Sequence, residues 1–310
     1  MAWRPPEDDK NKVPSPTRPL SVGEAEGEGD RVAGIFEGEG GGSMTFQTVQ
    51  LDRNADGIVV LTLNRPAVLN SLNQEMMSEV RAVLADVARS DEAHVLIVTG
   101  AGRAFCAGAD LGADVEREPG MSIGEGIYRS MDRSFNPLVR ELAALPKPVI
   151  AAVNGVAAGG GVGLALAADI VVAARSAEFI QVFGPRLGLV PDMGCTYFLV
   201  QLLGRARARG LALLGERLTA QKAEEWGLIW RCVDDERVME EAQMIARRLA
   251  AGPRQCFGYI KRALDAAELH TLSDQLDLER DCQRILGDTE DFREGVIAFL
   301  KKQKPQFKGK

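Results

Sequence analysis

The sequence predicts an α/β fold. Short runs rich in β-branched and aliphatic residues alternate with segments whose apolar residues recur at helical spacing. After about residue 204 the strand signals fade, and residues 211–310 are predicted to be almost entirely helical, with breaks at Gly215, Gly227 and Gly252-Pro253. Alternating strands and helices are typical of an α/β core, so we expect such a core followed by a helical C-terminal region.

The first predicted elements are a strand, a helix and a second strand. Gly57–Leu63 (GIVVLTL) is β-branched and bounded by a turn, as a buried strand would be. His94–Thr99 (HVLIVT) has the same character. Between them, five apolar residues at helical spacing predict an amphipathic helix: Met76, Val80, Val83, Leu84 and Val87.

The next strands are predicted at Pro148–Val153 (PVIAAV) and Asp169–Ala174 (DIVVAA). The uncharged stretch Pro148–Ala168 is also just long enough to span a membrane as a helix. It contains Asn154 and five glycines, however, and each glycine weakens a helix by up to about 1 kcal/mol relative to alanine. A strand, a glycine turn and a short buried helix therefore describe this stretch better.

The N-terminal segment differs from the rest. Residues 1–43 contain five prolines, eight glycines, nine acidic and five basic residues, with little apolar periodicity. Such a segment cannot bury enough apolar surface to offset its ordering entropy, so we predict a disordered N-terminal extension or leader. The predicted organisation is 1–43 as this extension, 44–252 as the core and 253–310 as the C-terminal helical region.

Composition excludes several classes of function. The net charge of −7 argues against a protein that binds nucleic acid by bulk basicity. The five cysteines form no CxxC pair, which favours a reducing compartment, and we expect a cytoplasmic protein. With only two histidines and no HExxH-type spacing, we expect no metal site.

Two glycine turns follow predicted strands. One is Phe105–Leu111 (FCAGADL), and the other is Asn154–Gly161 (NGVAAGGG). Each could present unpaired backbone N–H groups, and two such donors aimed at one oxygen form an oxyanion hole. For either turn taken alone, a simple tight strand-to-helix turn is the favoured interpretation. A GxGxxG dinucleotide motif starting at Gly159 would need glycine where Leu164 stands, so no dinucleotide site is predicted.

These turns belong to a larger set of motifs. The set comprises Asn64-Arg65-Pro66, Asn70-Ser71-Leu72, the FCAGADL turn, and the run KPVIAAVNG over residues 147–155 with the GGG that follows it. In order and spacing it resembles the crotonase (enoyl-CoA hydratase/isomerase) superfamily over residues 44–310. The resemblance implies an α/β spiral of ββα repeats. Its C-terminal helical region would support a homotrimer, or a hexamer built as a dimer of trimers.

The resemblance also implies a site for an acyl-CoA thioester. The backbone N–H groups of Ala109 and Gly160 match the two donors to the thioester oxygen, and no cofactor is expected because CoA is part of the substrate. For Asp110, a helix cap is an alternative compatible with CoA binding. The residues that match the CoA-binding positions are Val68, Leu69, Ala107, Asp110 and Leu111.

The acid–base positions separate members of the superfamily. Hydratases carry two glutamates, and the matching positions here are Gly163 and Gly184, neither of which can move a proton. Isomerases place a single carboxylate where this chain has Asp192, which we expect to be the base. From the residues alone, a cap for the helix that follows is the favoured interpretation of Asp192, and the resemblance is what points to a base. Cys195 departs from the family's usual glycine, and its side chain would either crowd the pocket or pack as a small apolar group.

Several C-terminal segments resemble more narrowly the ring-epoxide isomerases of phenylacetate degradation: 213–215, 225–230, 233–236, 276–281, 291–296 and 305–310. That resemblance implies conversion of an epoxidised phenylacetyl-CoA to the oxepin-CoA. A Δ3,Δ2-enoyl-CoA isomerase of fatty-acid oxidation and a non-catalytic acyl-CoA-binding scaffold are the alternatives. We expect the acyl pocket to be set near Ile127, Tyr128, Met131 and Phe135. The C-terminal lysines, which could meet the CoA phosphates or belong to a solvated tail, are Lys301, Lys302, Lys304, Lys308 and Lys310.

Overall fold

The computed structural model describes residues 46–112 and 120–310, so the predicted extension at 1–43 lies outside the described residues. In chain order its strands are β1 (Val49–Arg53), β2 (Ile58–Leu63), β3 (Val95–Gly100), β4 (Ala104–Cys106), β5 (Val149–Val153), β6 (Val156–Ala158), β7 (Ile170–Ala174), β8 (Glu178–Ile180), β9 (Arg217–Thr219) and β10 (Arg231–Val233). Its α-helices are α1 (Gln74–Arg89), α2 (Ile123–Ser130), α3 (Asn136–Ala143), α4 (Gly160–Leu166), α5 (Cys195–Leu214), α6 (Ala220–Trp226), α7 (Val238–Ala250), α8 (Arg254–Ala267), α9 (Leu272–Leu286) and α10 (Glu290–Leu300).

The strands form two sheets. The larger has the order β1-β2-β3-β5-β7-β10 and is parallel except for the β1–β2 pair. The smaller has the order β4-β6-β8-β9, in which only the β8–β9 pair is antiparallel. The consecutive strands β3 and β4, β5 and β6, and β7 and β8 thus alternate between the sheets, and one or more helices follow each pair. This repeated ββα arrangement confirms the predicted α/β spiral.

Burial explains why these segments became strands and helices. Every residue of β3 and β5 is buried, as expected for parallel strands covered on both faces. All five apolar residues that predicted the first helix lie buried on one face of α1, together with Met77. That helix begins where the Asn73 side chain accepts a hydrogen bond from the Met76 N–H, a standard N-cap.

The uncharged stretch considered as a membrane span folds as β5, β6 and α4, with the glycine turn before α4. Among residues 46–112 and 120–310, no helix is both long and apolar enough to cross a membrane. The four other sequence-predicted elements, at β2, α1, β3 and β7, are also confirmed within a residue or two at their ends.

The region after residue 211 is less uniformly helical than predicted. Strands β9 and β10 interrupt it, because β9 pairs with β8 and β10 extends the large sheet beside β7. Strands of three residues carry no periodicity of their own, so only the tertiary pairing reveals them. The predicted breaks are confirmed: Gly215 and Gly227 end α5 and α6 in the left-handed conformation, and Gly252 and Pro253 separate α7 from α8. The boundary at residue 252 between core and C-terminal region stays a prediction.

Candidate active site

The loop after β2 and the loop after β4 are joined by a short parallel bridge between Leu72 and Ala109. The Leu72 N–H donates to the Gly108 carbonyl at 2.8 Å, and the Asp110 N–H donates to the Leu72 carbonyl at 3.0 Å. These two bonds leave the Ala109 N–H out of the ladder. Ala109 itself is exposed, so the N–H that is predicted to be an oxyanion donor belongs to a solvent-accessible residue.

The predicted CoA-binding residues gather on these same two loops. The Ala107 N–H donates to the Leu69 carbonyl at 3.0 Å, which joins the loops a second time. Val68 is 42% exposed and Leu111 72% exposed, while Leu69 and Ala107 are half-buried. Two apolar side chains therefore lie open to solvent beside a ladder of backbone groups. Asp110 is half-buried within the same junction.

An ion pair between Arg65 and Asp110 connects the loop after β2 to the loop after β4. The Arg65 guanidinium lies 2.8 Å from the Asp110 carboxylate and donates to the Ser71 carbonyl at 2.7 Å. The side chains of Arg65 and Asp110 are only 22% and 14% exposed, so solvent screens this pair less than a surface pair. Asp110 also accepts from the Gly112 N–H. The carboxylate therefore holds the shape of its own loop as well as its contact with the neighbouring loop.

Two asparagines fix the turn between β3 and β4. The Asn70 side chain, fully buried, donates to the carbonyls of Ala101 and Ala104 at 2.9 and 2.8 Å. The Asn154 amide donates to the Gly102 carbonyl at 3.0 Å. Both residues belong to motifs noted in the sequence, but sequence spacing does not show which carbonyls they bind. Their bonds tie the loops after β2 and β5 to the turn between β3 and β4.

Glycines allow the β4 loop to touch the start of α4. A β-carbon on Gly108 would lie 3.0 Å from the backbone nitrogen of Gly160, and one on Gly161 would lie 2.1 Å from the Cys106 carbonyl oxygen. Gly108 also has φ +89, which few other residues adopt. The structure thus brings the two predicted donors, at Ala109 and Gly160, onto backbone segments in direct contact.

Asp192 lies beside this contact. A β-carbon on Gly160 would be 3.5 Å from the Asp192 carboxylate oxygen Oδ1. Burial raises the pKa of the Asp192 carboxyl from its usual 3.8 to about 6, opposed by the bond from its own backbone N–H. The residue does not cap α5, since Gly194 is the N-cap and no side chain bonds there. The structure therefore excludes the helix-cap role, one of the two roles that the sequence left open for Asp192.

Met193 is a residue that the sequence did not single out. It is 1% exposed and has φ 52, in the left-handed region. A β-carbon on Gly163 would lie 2.1 Å from the Met193 carbonyl oxygen and 2.7 Å from its Cβ. A side chain at position 163, where hydratases carry a glutamate, therefore cannot fit against this loop. At Gly184, the other glutamate position, a β-carbon would meet the Ala212 carbonyl at 3.0 Å, a tight but smaller overlap.

The Cys195 side chain packs as a small apolar group and is fully buried. Its thiol donates to the Gly159 carbonyl at 3.5 Å, on the peptide group that carries the Gly160 N–H. Burial raises the pKa values of Cys195 and of Cys106 to about 12, so both remain thiols at neutral pH. Cys106 is therefore a core thiol in the structure, as the sequence suggested.

Other predicted residues are more dispersed. Of the expected acyl-pocket residues, Tyr128 on α2 is 66% exposed, whereas Phe135 is buried in the core cluster. The five C-terminal lysine side chains are all exposed. No cluster of three or more His, Cys, Asp or Glu side chains that could hold a metal ion is present in the part of the chain that the structure describes.

Comparisons with known proteins place the chain in a family. The enoyl-CoA hydratase/isomerase family model matches residues 53–310. The 1,2-epoxyphenylacetyl-CoA isomerase of Escherichia coli K12 is 54% identical over 254 residues, which cover 82% of this chain and 96% of that protein. A probable enoyl-CoA hydratase of Rhodobacter capsulatus is 43% identical over 267 residues, covering 86% of this chain and 100% of that protein. The crystal structure of an enoyl-CoA hydratase from Bacillus anthracis has a TM-score of 0.78 at 33% identity, covering 85% of this chain and all of that one. The chain therefore belongs to the enoyl-CoA hydratase/isomerase (crotonase) family of enzymes that act on CoA thioesters.

Proposed function

We propose that this protein is an acyl-CoA isomerase that works with one carboxylate base and two backbone N–H donors. The observation that carries this proposal is the position of the Asp192 carboxylate beside Gly160, at a site where Gly163 has no room for a second acid. One base suffices for an isomerase, because the proton that it removes from one carbon can be returned to another.

In the proposed reaction, the Asp192 carboxylate removes a proton from C2 of the acyl-CoA. The electron pair of that C–H bond moves into the thioester, and an enolate forms. The Ala109 and Gly160 N–H groups donate to the enolate oxygen, and loss of one such donor costs about 3–4 kcal/mol of transition-state stabilisation. With a 3-enoyl-CoA, the proton returns from Asp192 to C4 and the double bond moves to C2–C3.

The raised pKa of Asp192 suits this task. A carboxyl with a pKa of about 6 is mostly ionised at neutral pH, yet it is a stronger base than an ordinary aspartate. Both properties favour proton removal from carbon, which is a weak acid. A group that only capped a helix would gain nothing from such a rise.

The proposed substrate is 2-(1,2-epoxy-1,2-dihydrophenyl)acetyl-CoA, in aerobic phenylacetate catabolism in the cytoplasm. The 54% identity to the Escherichia coli epoxide isomerase supports it. With this substrate, the C–C bond shared by the epoxide and the six-membered ring would break to give the seven-membered oxepin. The proton that Asp192 takes from C2 would return to a ring carbon, so no atoms are gained or lost. A Δ3,Δ2-enoyl-CoA isomerase is the second candidate, because the same base and donors serve it equally. A non-catalytic scaffold is disfavoured because Asp192 is retained and its pKa is raised.

A hydratase is the other activity to consider, because the Rhodobacter capsulatus relative is described as a probable enoyl-CoA hydratase. Hydration by two carboxylates needs a second acid or base beside the water molecule. Glycine occupies both expected positions here, and the Met193 backbone fills the space beside Gly163. We therefore place hydration below isomerisation.

We further propose that copies of the chain assemble through the C-terminal helices, as a homotrimer or a hexamer. Helices α8 to α10 and the turns between them leave many large apolar side chains exposed, among them Leu264 (67%), Leu269 (89%), Leu272 (77%) and Phe299 (83%). An apolar surface of this kind is typical of a protein–protein interface. Light scattering coupled to size exclusion would measure the assembly.

The decisive experiment compares the wild type with Asp192→Asn on a 3-enoyl-CoA and on enzymatically prepared epoxyphenylacetyl-CoA. We expect the variant to lose roughly 100- to 10,000-fold in turnover, the usual contribution of a positioned base. Asp52→Asn, which changes an exposed carboxylate on β1, is the matched control and should keep full activity. Full turnover by Asp192→Asn on both substrates would refute the single-base proposal, and strong hydration of crotonyl-CoA would favour the hydratase.

A further inference from the structure

We propose that Met193 seals the Asp192 carboxyl from bulk water on the protein side, so that the proton taken from the substrate is returned to it rather than exchanged with solvent. This inference rests on the proposed function, because it concerns the fate of the proton that Asp192 removes. Met193 acts through Asp192 and is a positioning residue rather than a catalytic one.

The backbone conformation of Met193 is the first reason. Its φ of 52 lies in the left-handed region, which residues with a side chain adopt at a cost. Gly188 and Gly194 in the same loop have φ 66 and 77 and adopt this region freely. A glycine would be easier to accommodate at position 193 as well. A fully buried methionine there indicates that the packing of its side chain offsets the cost of the backbone conformation.

The contacts of Met193 are the second reason. Its Cγ lies 2.9 Å from where a β-carbon of Gly160 would be, and its Cβ lies 2.7 Å from where one of Gly163 would be. One apolar side chain thus fills the space over both glycines, and the Asp192 Oδ1 faces the first of them at 3.5 Å. The thioether is only a weak acceptor and has no donor, so it offers a water molecule little to bind.

The consequence concerns the protonated state of Asp192. After proton removal, the neutral carboxyl can either give its proton to the dienolate or exchange it with water. Met193 blocks the approach of water from the side of Gly160 and Gly163. The acyl chain of a substrate bound at Asp192 would have to cover the remaining, open side. The proton therefore passes from C2 to Asp192 and on to C4 without leaving the site.

The test is isomerisation of a 3-enoyl-CoA in D2O during a single turnover, with deuterium in the 2-enoyl-CoA product measured by mass spectrometry. We compare the wild type with Met193→Gly, which removes the side chain and suits the left-handed backbone, and with Met193→Leu, which keeps an apolar side chain. The measured quantity is the ratio of product that has taken up deuterium from D2O to product that has kept the proton removed from C2. We expect this ratio to be low in the wild type and in Met193→Leu. In Met193→Gly we expect it to rise roughly tenfold, a change equivalent to about 1.4 kcal/mol.

The outcomes separate the two proposals. Equal deuterium content in the wild type and Met193→Gly, with isomerisation retained, would overturn the role of Met193 and leave the isomerase proposal intact. Complete exchange of the transferred proton for deuterium in the wild type would also overturn the role of Met193. If Met193→Gly fails to fold, as judged by circular dichroism, Met193→Ala takes its place with the same expected direction. A wild type that isomerises no 3-enoyl-CoA and no aryl epoxide would refute the proposed function, and this inference with it.

Discussion

Replacement of Asp192 by asparagine removes a charge that is costly to bury, so the variant should be more stable than the wild type while it loses the base. The Asp192 carboxyl is desolvated, and no charged partner among the described residues offsets that desolvation. Active sites often carry such a cost, and removing the functional group then trades activity for stability. The gain should depend on pH, which distinguishes it from a general packing effect.

The sign and size follow from the pKa values of the folded and unfolded chains. Burial raises the pKa from 3.8 to about 6, which corresponds to about 3 kcal/mol. Above pH 6 the carboxyl is ionised in both states and this cost is present in full. Below pH 3.8 it is protonated in both states and the cost is absent. Solvent reaches part of this half-buried group, so at pH 8 we expect Asp192→Asn to gain about 1 to 3 kcal/mol over the wild type, and most of that gain to vanish by pH 4.

The assay is urea unfolding of both proteins at pH 4 and pH 8, at one fixed protein concentration because the chain is expected to assemble. The stability difference between variant and wild type at one pH includes the cost of burying the asparagine amide. The change of that difference with pH cancels the amide term and isolates the carboxyl. A difference that stays constant from pH 4 to pH 8, or that grows toward acid, would refute the claim that Asp192 is desolvated in the folded protein.

Three further results are expected. The kcat/KM of the wild type should rise with pH through about 6 and then level off, because Asp192 must be ionised to act as a base. Gly163→Ala should lose about 1–3 kcal/mol of unfolding free energy, together with activity, because the new β-carbon would overlap the Met193 carbonyl oxygen. Gly124→Ala is the control: its site in α2 has open space around it, so it should lose neither stability nor activity. Arg65→Gln should raise KM roughly tenfold with little change in kcat, since it breaks the ion pair between the two CoA loops. Arg237→Gln, an exposed control, should leave both unchanged.

Each of these expectations has a contrary result. A flat pH profile between 5 and 8 would show that a group other than Asp192 limits the reaction. Thermal unfolding of Gly163→Ala at the wild-type temperature would show that the neighbouring loop yields to a side chain. A fall in kcat at unchanged KM in Arg65→Gln would show that the ion pair serves the chemical step rather than CoA binding.

The sequence predicted the long elements and the chemical class well. Strands such as β3 and β5 are continuous apolar runs, and α1 has a regular apolar face, so burial alone marks them. The glycine turns, with the family motifs, predict Ala109 and Gly160 as donors and Asp192 as the base, and these roles stay predictions. The short strands β9 and β10 cannot be predicted in this way, since three residues are too few to show a period.

What the sequence by itself determined was which segments are buried and which residue types are available: one aspartate, two glycine turns, and glycine where hydratases have glutamates. The tertiary structure decided what those residues touch. It made Asp192 a desolvated carboxylate rather than a helix cap, and it turned the Cys195 thiol into the core. It also placed Met193 against Gly160 and Gly163. The physical reason is that desolvation and steric fit depend on neighbours distant in the chain, and no local pattern in the sequence encodes them.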